Sequence, residues 1–151
     1  MSYIGAIALI VTPNVYSGFI LFHNIISKSA LFSFYEFDES YMKQRIIIFK
    51  QILGFNLQEL CFHFEDEGLQ PNLYLYEWFM SLFSKTLNVD ITCRVWDLIL
   101  LEGIHILYKT AIAIFKTLQD DLLDADFDEI MVILKKSQEM ITDEEDFVNK
   151  I

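Results

Sequence analysis

Apolar residues return every three or four positions along most of this chain, a period that predicts helices nearly throughout. Ile46, Phe49, Leu53, Leu57, Leu60 and Phe64 form one continuous stripe and predict a single long helix from Met42 to Phe64. Gly54 inside it costs about 1 kcal/mol relative to alanine, which burial of the stripe offsets. Gly68 then ends that helix and Pro71 opens the next, the usual asymmetry of glycine past a helix end and proline in a first turn. Beyond Pro71, Leu73, Tyr76, Met80, Phe83 and Leu87 mark one face. Leu75, Trp78, Phe79 and Leu82 make the same helix apolar almost all round, which suits a central position in a bundle. A shorter helix is expected from about Asp90 to Glu102, stopped by Gly103. Ile104, Leu107, Tyr108, Ala111, Ile112, Phe115 and Leu118 then give the clearest helical stripe in the chain.

Toward the C terminus, Phe127, Ile130, Met131 and Leu134 predict a short amphipathic helix, with Asp124 or Asp126 placed to cap it. Thr142 to Glu145 fits a T-x-x-E capping box that opens a last helix carrying Phe147, Val148 and Ile151 on one face. At the N terminus two apolar runs, Ile4 to Val11 and Val15 to Ile26, are separated by Thr12-Pro13-Asn14. Neither approaches the roughly 18–20 residues that span a bilayer. No basic segment precedes them and no clean small-residue cleavage site follows. Two core helices are expected rather than a transmembrane segment or a signal peptide. With no sustained period-2 alternation, no internal repeat and no long linker, the chain reads as one all-α, multi-helix bundle.

Composition narrows the partners. The 151 residues are 54% hydrophobic with 14 phenylalanines, more apolar than most soluble chains, and the formal net charge is −11. That charge argues against a basic patch able to neutralise nucleic-acid phosphates or anionic lipid, and arginine occurs only at Arg45 and Arg94. Eleven of the 22 carboxylates lie between Asp120 and Asp146.

The candidate chemistry is mostly structural. Cys61 and Cys93 sit in apolar helical context and read as buried thiols of a reducing compartment. Cys61-x-His63 has no second pair at metal-ligand spacing, so zinc is not expected. Nor is a Cys61 nucleophile with His63 as base, since residues two apart on a helix diverge; a packed, hydrogen-bonded His63 is the expectation. Asp124, Asp126 and Asp128 match the first ligands of a calcium loop. Glu129 then replaces the required glycine and Lys135 the bidentate acid, leaving a solvated acidic face. All five glycines are isolated, so no phosphate loop, nucleotide or cofactor is expected. Arg94-x-Trp96-Asp97 carries most information. In one reading Trp96 is a core anchor while Arg94 and Asp97, three apart, pair at its edge. In the other, Arg94 and Asp97 beside an aromatic anchor read a partner surface.

Taken together, these residues resemble the C-terminal half of the TBC domain, the helical domain of Rab GTPase-activating proteins. The resemblance runs through His63, Gly68, Pro71, Tyr74 and Trp78, then Leu82-Phe83, Arg94-x-Trp96-Asp97, Glu102-Gly103 and an apolar helix with Ala111 and Ile114. Asp126-Phe127-Asp128-Glu129-Ile130 resembles the acidic segment that follows in the family. Asn88 departs from the pattern, standing where the family usually carries proline. Met1-Ser2-Tyr3-Ile4-Gly5-Ala6 looks like the residues directly after the family's YxQG element. The resemblance implies a catalytic glutamine in that element and an arginine further upstream, both preceding Met1, so residues 1–151 are expected to be a partial TBC domain. Arg94, Trp96 and Asp97 carry over as motif residues near the GTPase-facing groove, and no catalytic residue does.

The resemblance therefore implies a Rab GTPase-activating protein of membrane traffic, not itself an enzyme. Such a chain would be inactive alone, cytoplasmic, peripheral to endomembranes through its partner, and prone to self-association through exposed apolar surface. The competing reading is a catalytically inactive helical module that binds a GTPase or acts as a scaffold. A third is a small membrane-embedded protein built on the N-terminal runs.

Overall fold

A computed structural model describes residues 2–27 and 39–151, and the described residues form helices joined by turns, with no strand among them. In chain order the helices are α1 (Ser2–Ile10), α2 (Val15–Ile26), α3 (Glu39–Asn56), α4 (Gln58–Asp66), α5 (Asn72–Ser81) and α6 (Val89–Glu102). They continue with α7 (Ile106–Thr117), α8 (Gln119–Leu123), α9 (Phe127–Lys135), α10 (Ser137–Met140) and α11 (Glu144–Asn149). The clear stripe between Ile104 and Leu118 becomes α7, the hub of the bundle. It packs against α3, α6, α8 and α11, and nine of its twelve residues are buried.

Helix ends follow the local chemistry closely. At the end of α4, Leu69 N–H donates to the Phe64 carbonyl at 2.8 Å and Gly68 N–H to Glu65 at 3.1 Å. This is the paired 6→1 and 5→2 bonding of a Schellman cap, and Gly68 supplies the left-handed residue at φ +72°. Asn88 caps α6, its side-chain oxygen accepting from Ile91 N–H at 2.9 Å. Of the two aspartates considered for α9, Asp126 is the cap. Its carboxylate accepts from Glu129 N–H at 3.0 Å while Glu129 accepts from Asp126 N–H at 3.2 Å. Asp126→Ala should therefore lower stability by about 1 kcal/mol in urea denaturation, with Asp126→Ser recovering most of the loss.

Three expectations are corrected. The long helix breaks at Leu57 (φ −139°, ψ 63°), and Gly54-Phe55-Asn56 just before it are weak helix formers. Hydrogen bonds from Leu57 N–H to Leu53 and from Cys61 N–H to Leu57 still bridge the break, so the stripe from Phe49 to Phe64 stays buried. A spacing of three or four tolerates such a kink, which is why periodicity did not reveal it. The helix after Pro71 stops at Ser81 instead of running to Leu87, and its packed face is Tyr74, Leu75, Trp78 and Phe79, with Leu73 and Tyr76 exposed. At the last helix, Asp143 replaces Thr142 as the cap, because its carboxylate accepts from Asp146 N–H at 2.9 Å.

The two N-terminal apolar runs form the helices α1 and α2 as expected, and Ile4, Ile7 and Ile25 join the buried core cluster. They pack mainly on each other and bury Ile4, Ile7, Ala8 and Ile25, while Ile10, Val15, Tyr16 and Phe19 are each more than 60% exposed. No described helix is long and apolar enough to cross a membrane.

Six aromatic rings fill the centre. Phe115 of α7 lies with its ring centroid 5.3 Å from Phe64, 5.4 Å from Tyr74, 5.4 Å from Trp78 and 6.2 Å from Phe49. Phe83 joins them through Trp78 at 5.9 Å. After Trp78 the chain turns without a glycine. Leu82 and Phe83 both take left-handed backbone, φ 50° and 61°, with Phe83 N–H on the Trp78 carbonyl at 2.8 Å. Such residues cost on the order of 1–2 kcal/mol each. Both side chains are fully buried, and that burial offsets the cost.

Tyr74 is buried among these rings and its hydroxyl has no protein hydrogen-bond partner. Burial pushes its phenol far above the usual tyrosine range. A group whose folded value is raised contributes stability that is fully present below the unfolded value, about 10, and is lost as pH rises beyond it. Tyr74→Phe should leave stability at neutral pH unchanged or raised, and should flatten its decline at alkaline pH. Urea midpoints measured on both sides of pH 10 check both halves.

Candidate functional site

Helix α6 carries the Arg-x-Trp-Asp motif and sorts its residues by face. Ile91, Val95, Trp96 and Ile99 point inward. Trp96 is 5% exposed, and its indole N–H donates to the Leu82 carbonyl at 2.9 Å. That bond ties α6 to the left-handed turn after α5, so Trp96 is the core anchor of the motif. Trp96→Phe keeps most of the packing but leaves a buried carbonyl unpaired, and a loss of about 1–3 kcal/mol is expected in thermal or urea unfolding.

Arg94 and Asp97 face outward. They do not pair with each other, which corrects the expected Arg94–Asp97 pair and leaves Trp96 as the core anchor of that reading. The Arg94 Nε instead lies 3.3 Å from the Glu144 carboxylate of α11, with both side chains about half exposed. An exposed pair of this kind is worth about 0–1 kcal/mol and is readily exchanged for another anion. Beside it lies a groove of about 470 Å³ lined by Arg94, Asp97, Leu98, Leu100, Leu101 and Val148. Leu101 is 83% exposed, so the groove joins a cation, a carboxylate and open apolar surface. The motif's spacing placed Arg94 and Asp97 outside and Trp96 inside. Glu144 and the leucine wall carried no comparable signal, since Glu144 arrives from a different helix 50 residues downstream.

The other signature residues hold the frame. His63 Nε2 lies 2.9 Å from the Ala125 carbonyl, linking α4 to the turn before α9 and matching the packed, hydrogen-bonded histidine expected from sequence. Glu67 reinforces that link by accepting from Phe127 N–H at 3.1 Å. Pro71 starts α5, its carbonyl accepting from Leu75 N–H at 2.9 Å. Tyr74 and Trp78 pack with ring centroids 5.1 Å apart and planes tilted by 50° within the aromatic centre. Cys61 and Cys93 are free thiols, and burial pushes both above the usual cysteine range, as for inert packing residues. Among the described residues no group of three or more histidine, cysteine, aspartate or glutamate side chains is placed to hold a metal ion.

The chain has two arginines. The Arg45 guanidinium lies 4.4 Å from the Tyr41 ring centroid, donates to the Tyr41 hydroxyl, and donates to the Tyr108 hydroxyl at 3.2 Å. It bridges α3 to α7. Arg94 is therefore the more exposed of the two.

Residues 1–123 match the Rab-GTPase-TBC domain family. This chain belongs to that family. It is 38% identical over 147 residues to TBC1 domain family member 12 of Xenopus tropicalis, covering 97% of this chain and 21% of that relative. It is 33% identical over 149 residues to human TBC1 domain family member 14, covering 99% and 21%. The crystal structure of a Chlamydomonas flagellar RabGAP TBC domain superposes with a TM-score of 0.84 at 21% identity, over 99% of this chain and 50% of the other. The all-α TBC fold is thus present. The chain spans about a fifth of the length of these curated relatives and half of the solved chain.

Proposed function

We propose that residues 1–151 form the C-terminal part of a Rab-directed TBC domain, binding a Rab GTPase without supplying the catalytic groups. The observation that carries this reading is the family match over residues 1–123. In GTPase activation an arginine entering in trans stabilises charge on the transferred phosphoryl and is worth about 10³–10⁵ in rate. Arg45 is engaged by two tyrosines inside the bundle, and Arg94 belongs to the Arg-x-Trp-Asp motif on α6. Neither is built as that finger, so on this reading the arginine finger is not among these residues.

Contact with the GTPase is assigned to the Arg94–Asp97 groove, where a weak surface ion pair and exposed Leu101 offer polar and apolar contacts together. The exposed apolar face of α1 and α2 is assigned to the remaining half of the domain, and to self-association when that half is absent. In the cell the protein would act in membrane traffic, brought to endomembranes by its Rab.

The test is single-turnover GTP hydrolysis by a panel of Rab proteins, alongside direct binding. Saturable binding to at least one Rab is expected, with hydrolysis unchanged. Arg94→Ala combined with Leu101→Asp should weaken that binding about tenfold. Acceleration beyond about tenfold would sink the claim that catalytic groups lie elsewhere. Failure to bind any Rab would remove the GTPase reading and leave a scaffold role.

A further inference from the structure

We infer that a second groove, between α8, α9 and α10, docks a basic amphipathic helix of a partner protein. This groove holds about 530 Å³ and is lined by Asp121, Asp124, Ala125, Asp128, Glu129, Val132, Ile133 and Met140. It shares no residue with the Arg94–Asp97 groove and does not rest on the GTPase reading.

The floor is apolar and open. Val132 is 48% and Met140 39% exposed, beside Ile133 and the buried Ala125. Methionine adapts its shape to varied apolar partners, which suits a docking floor. Four carboxylates stand at the rim, and no lysine or arginine lines the groove. The ion pairs among the described residues use Glu65, Glu77, Glu102, Glu144 and Asp146, so none neutralises Asp121, Asp124, Asp128 or Glu129. Glu129 already accepts one backbone N–H as part of the α9 cap, which leaves the three aspartates as the freer charges.

That arrangement selects the occupant. The four carboxylates are exposed and share the groove with apolar side chains, and no group among the described residues is placed to hold a metal ion. A purely apolar ligand would strip water from these charges with nothing to replace it, and an anion would be repelled. What fits is a helix with apolar anchors one turn apart on one face and lysines or arginines flanking them, the helix-in-groove mode of recognition. The volume accommodates a few anchoring side chains, leaving the cations to meet the rim.

The probe is a labelled leucine–lysine peptide with leucines at i, i+3, i+4 and i+7, compared with a scrambled peptide of identical composition that has no apolar face. Fluorescence anisotropy on the 151-residue chain, with amide NMR shifts to locate the contact, reads the result. The amphipathic peptide should bind at least about tenfold tighter than the scrambled one, with shifts centred on residues 119–140. Asp121→Asn, Asp124→Asn and Asp128→Asn combined should weaken binding about tenfold, at a melting temperature close to that of the unaltered chain. Should that variant lose its cooperative melt, Val132→Gln with Met140→Gln tests the floor and should weaken binding to a similar degree. Equal affinity for the scrambled peptide would reduce the groove to general charge attraction and overturn the proposal. So would shifts confined to α1 and α2, undiminished binding by the variants, or no binding.

Discussion

Phe115→Ala should cost about 3–5 kcal/mol of folding stability, a large share of the roughly 5–15 kcal/mol that holds a typical domain together. The ring is fully buried and touches aromatic rings from α3, α4 and α5 at once. Removing it leaves a cavity walled by Phe49, Phe64, Tyr74 and Trp78, stiff rings whose helices also pack on other neighbours and so cannot collapse freely into the space. The edge-to-face contacts with Phe64 and Tyr74, worth about 0.5–1.5 kcal/mol each, disappear as well. Phe115→Leu keeps much of the volume and should cost only about 1–2 kcal/mol. Urea unfolding separates the two, the midpoint falling with little change in slope if the native fold persists. A loss below about 1 kcal/mol for the alanine variant would mean that the four rings do not depend on Phe115 as their common contact.

Gly103→Ala should cost about 1–3 kcal/mol for a different reason. Gly103 closes α6, its N–H on the Ile99 carbonyl at 3.1 Å, with φ 108° and ψ −170°. That region of backbone space is open essentially to glycine alone. An added Cβ would meet only His105 Nδ1 at 3.9 Å, an ordinary contact, so crowding is not the cause. Any side chain at this position either strains the backbone or moves the junction between α6 and α7. Gly68 offers an internal comparison. Its φ of +72° lies in ordinary left-handed territory with no atom near a built Cβ, so Gly68→Asn should be mild. Thermal melts of the two variants should therefore differ clearly, and similar losses would mean that the conformation at Gly103 is easily relaxed.

Those two glycines also illustrate what was legible in sequence. Helix ends marked by residues with special backbone chemistry, Gly68, Gly103 and Asp126, lie where local pattern put them. Each acts through hydrogen bonds to its own neighbours. The left-handed pair Leu82-Phe83 went unseen, because nothing local distinguishes two apolar residues in that conformation from two in a helix; burial and the Trp96 N–H hold them there. The break at Leu57 was hidden for a related reason, since its buried positions keep helical spacing. At the candidate site, helix geometry sorted Arg94 and Asp97 from Trp96. The partner of Arg94 was not legible, because Glu144 reaches it only through the packing of α11 against α6. The family resemblance supplied the fold, while the exposure of α1 and α2 required three dimensions.

Both tryptophans of this chain lie in the interior, Trp78 against Phe115 and Trp96 with its indole N–H on a backbone carbonyl. Their intrinsic fluorescence should consequently shift to longer wavelength as the core admits water. It should stay almost constant when a tryptophan-free partner settles on either groove. A change in emission on adding a partner would then report loosening of the centre rather than contact at the surface.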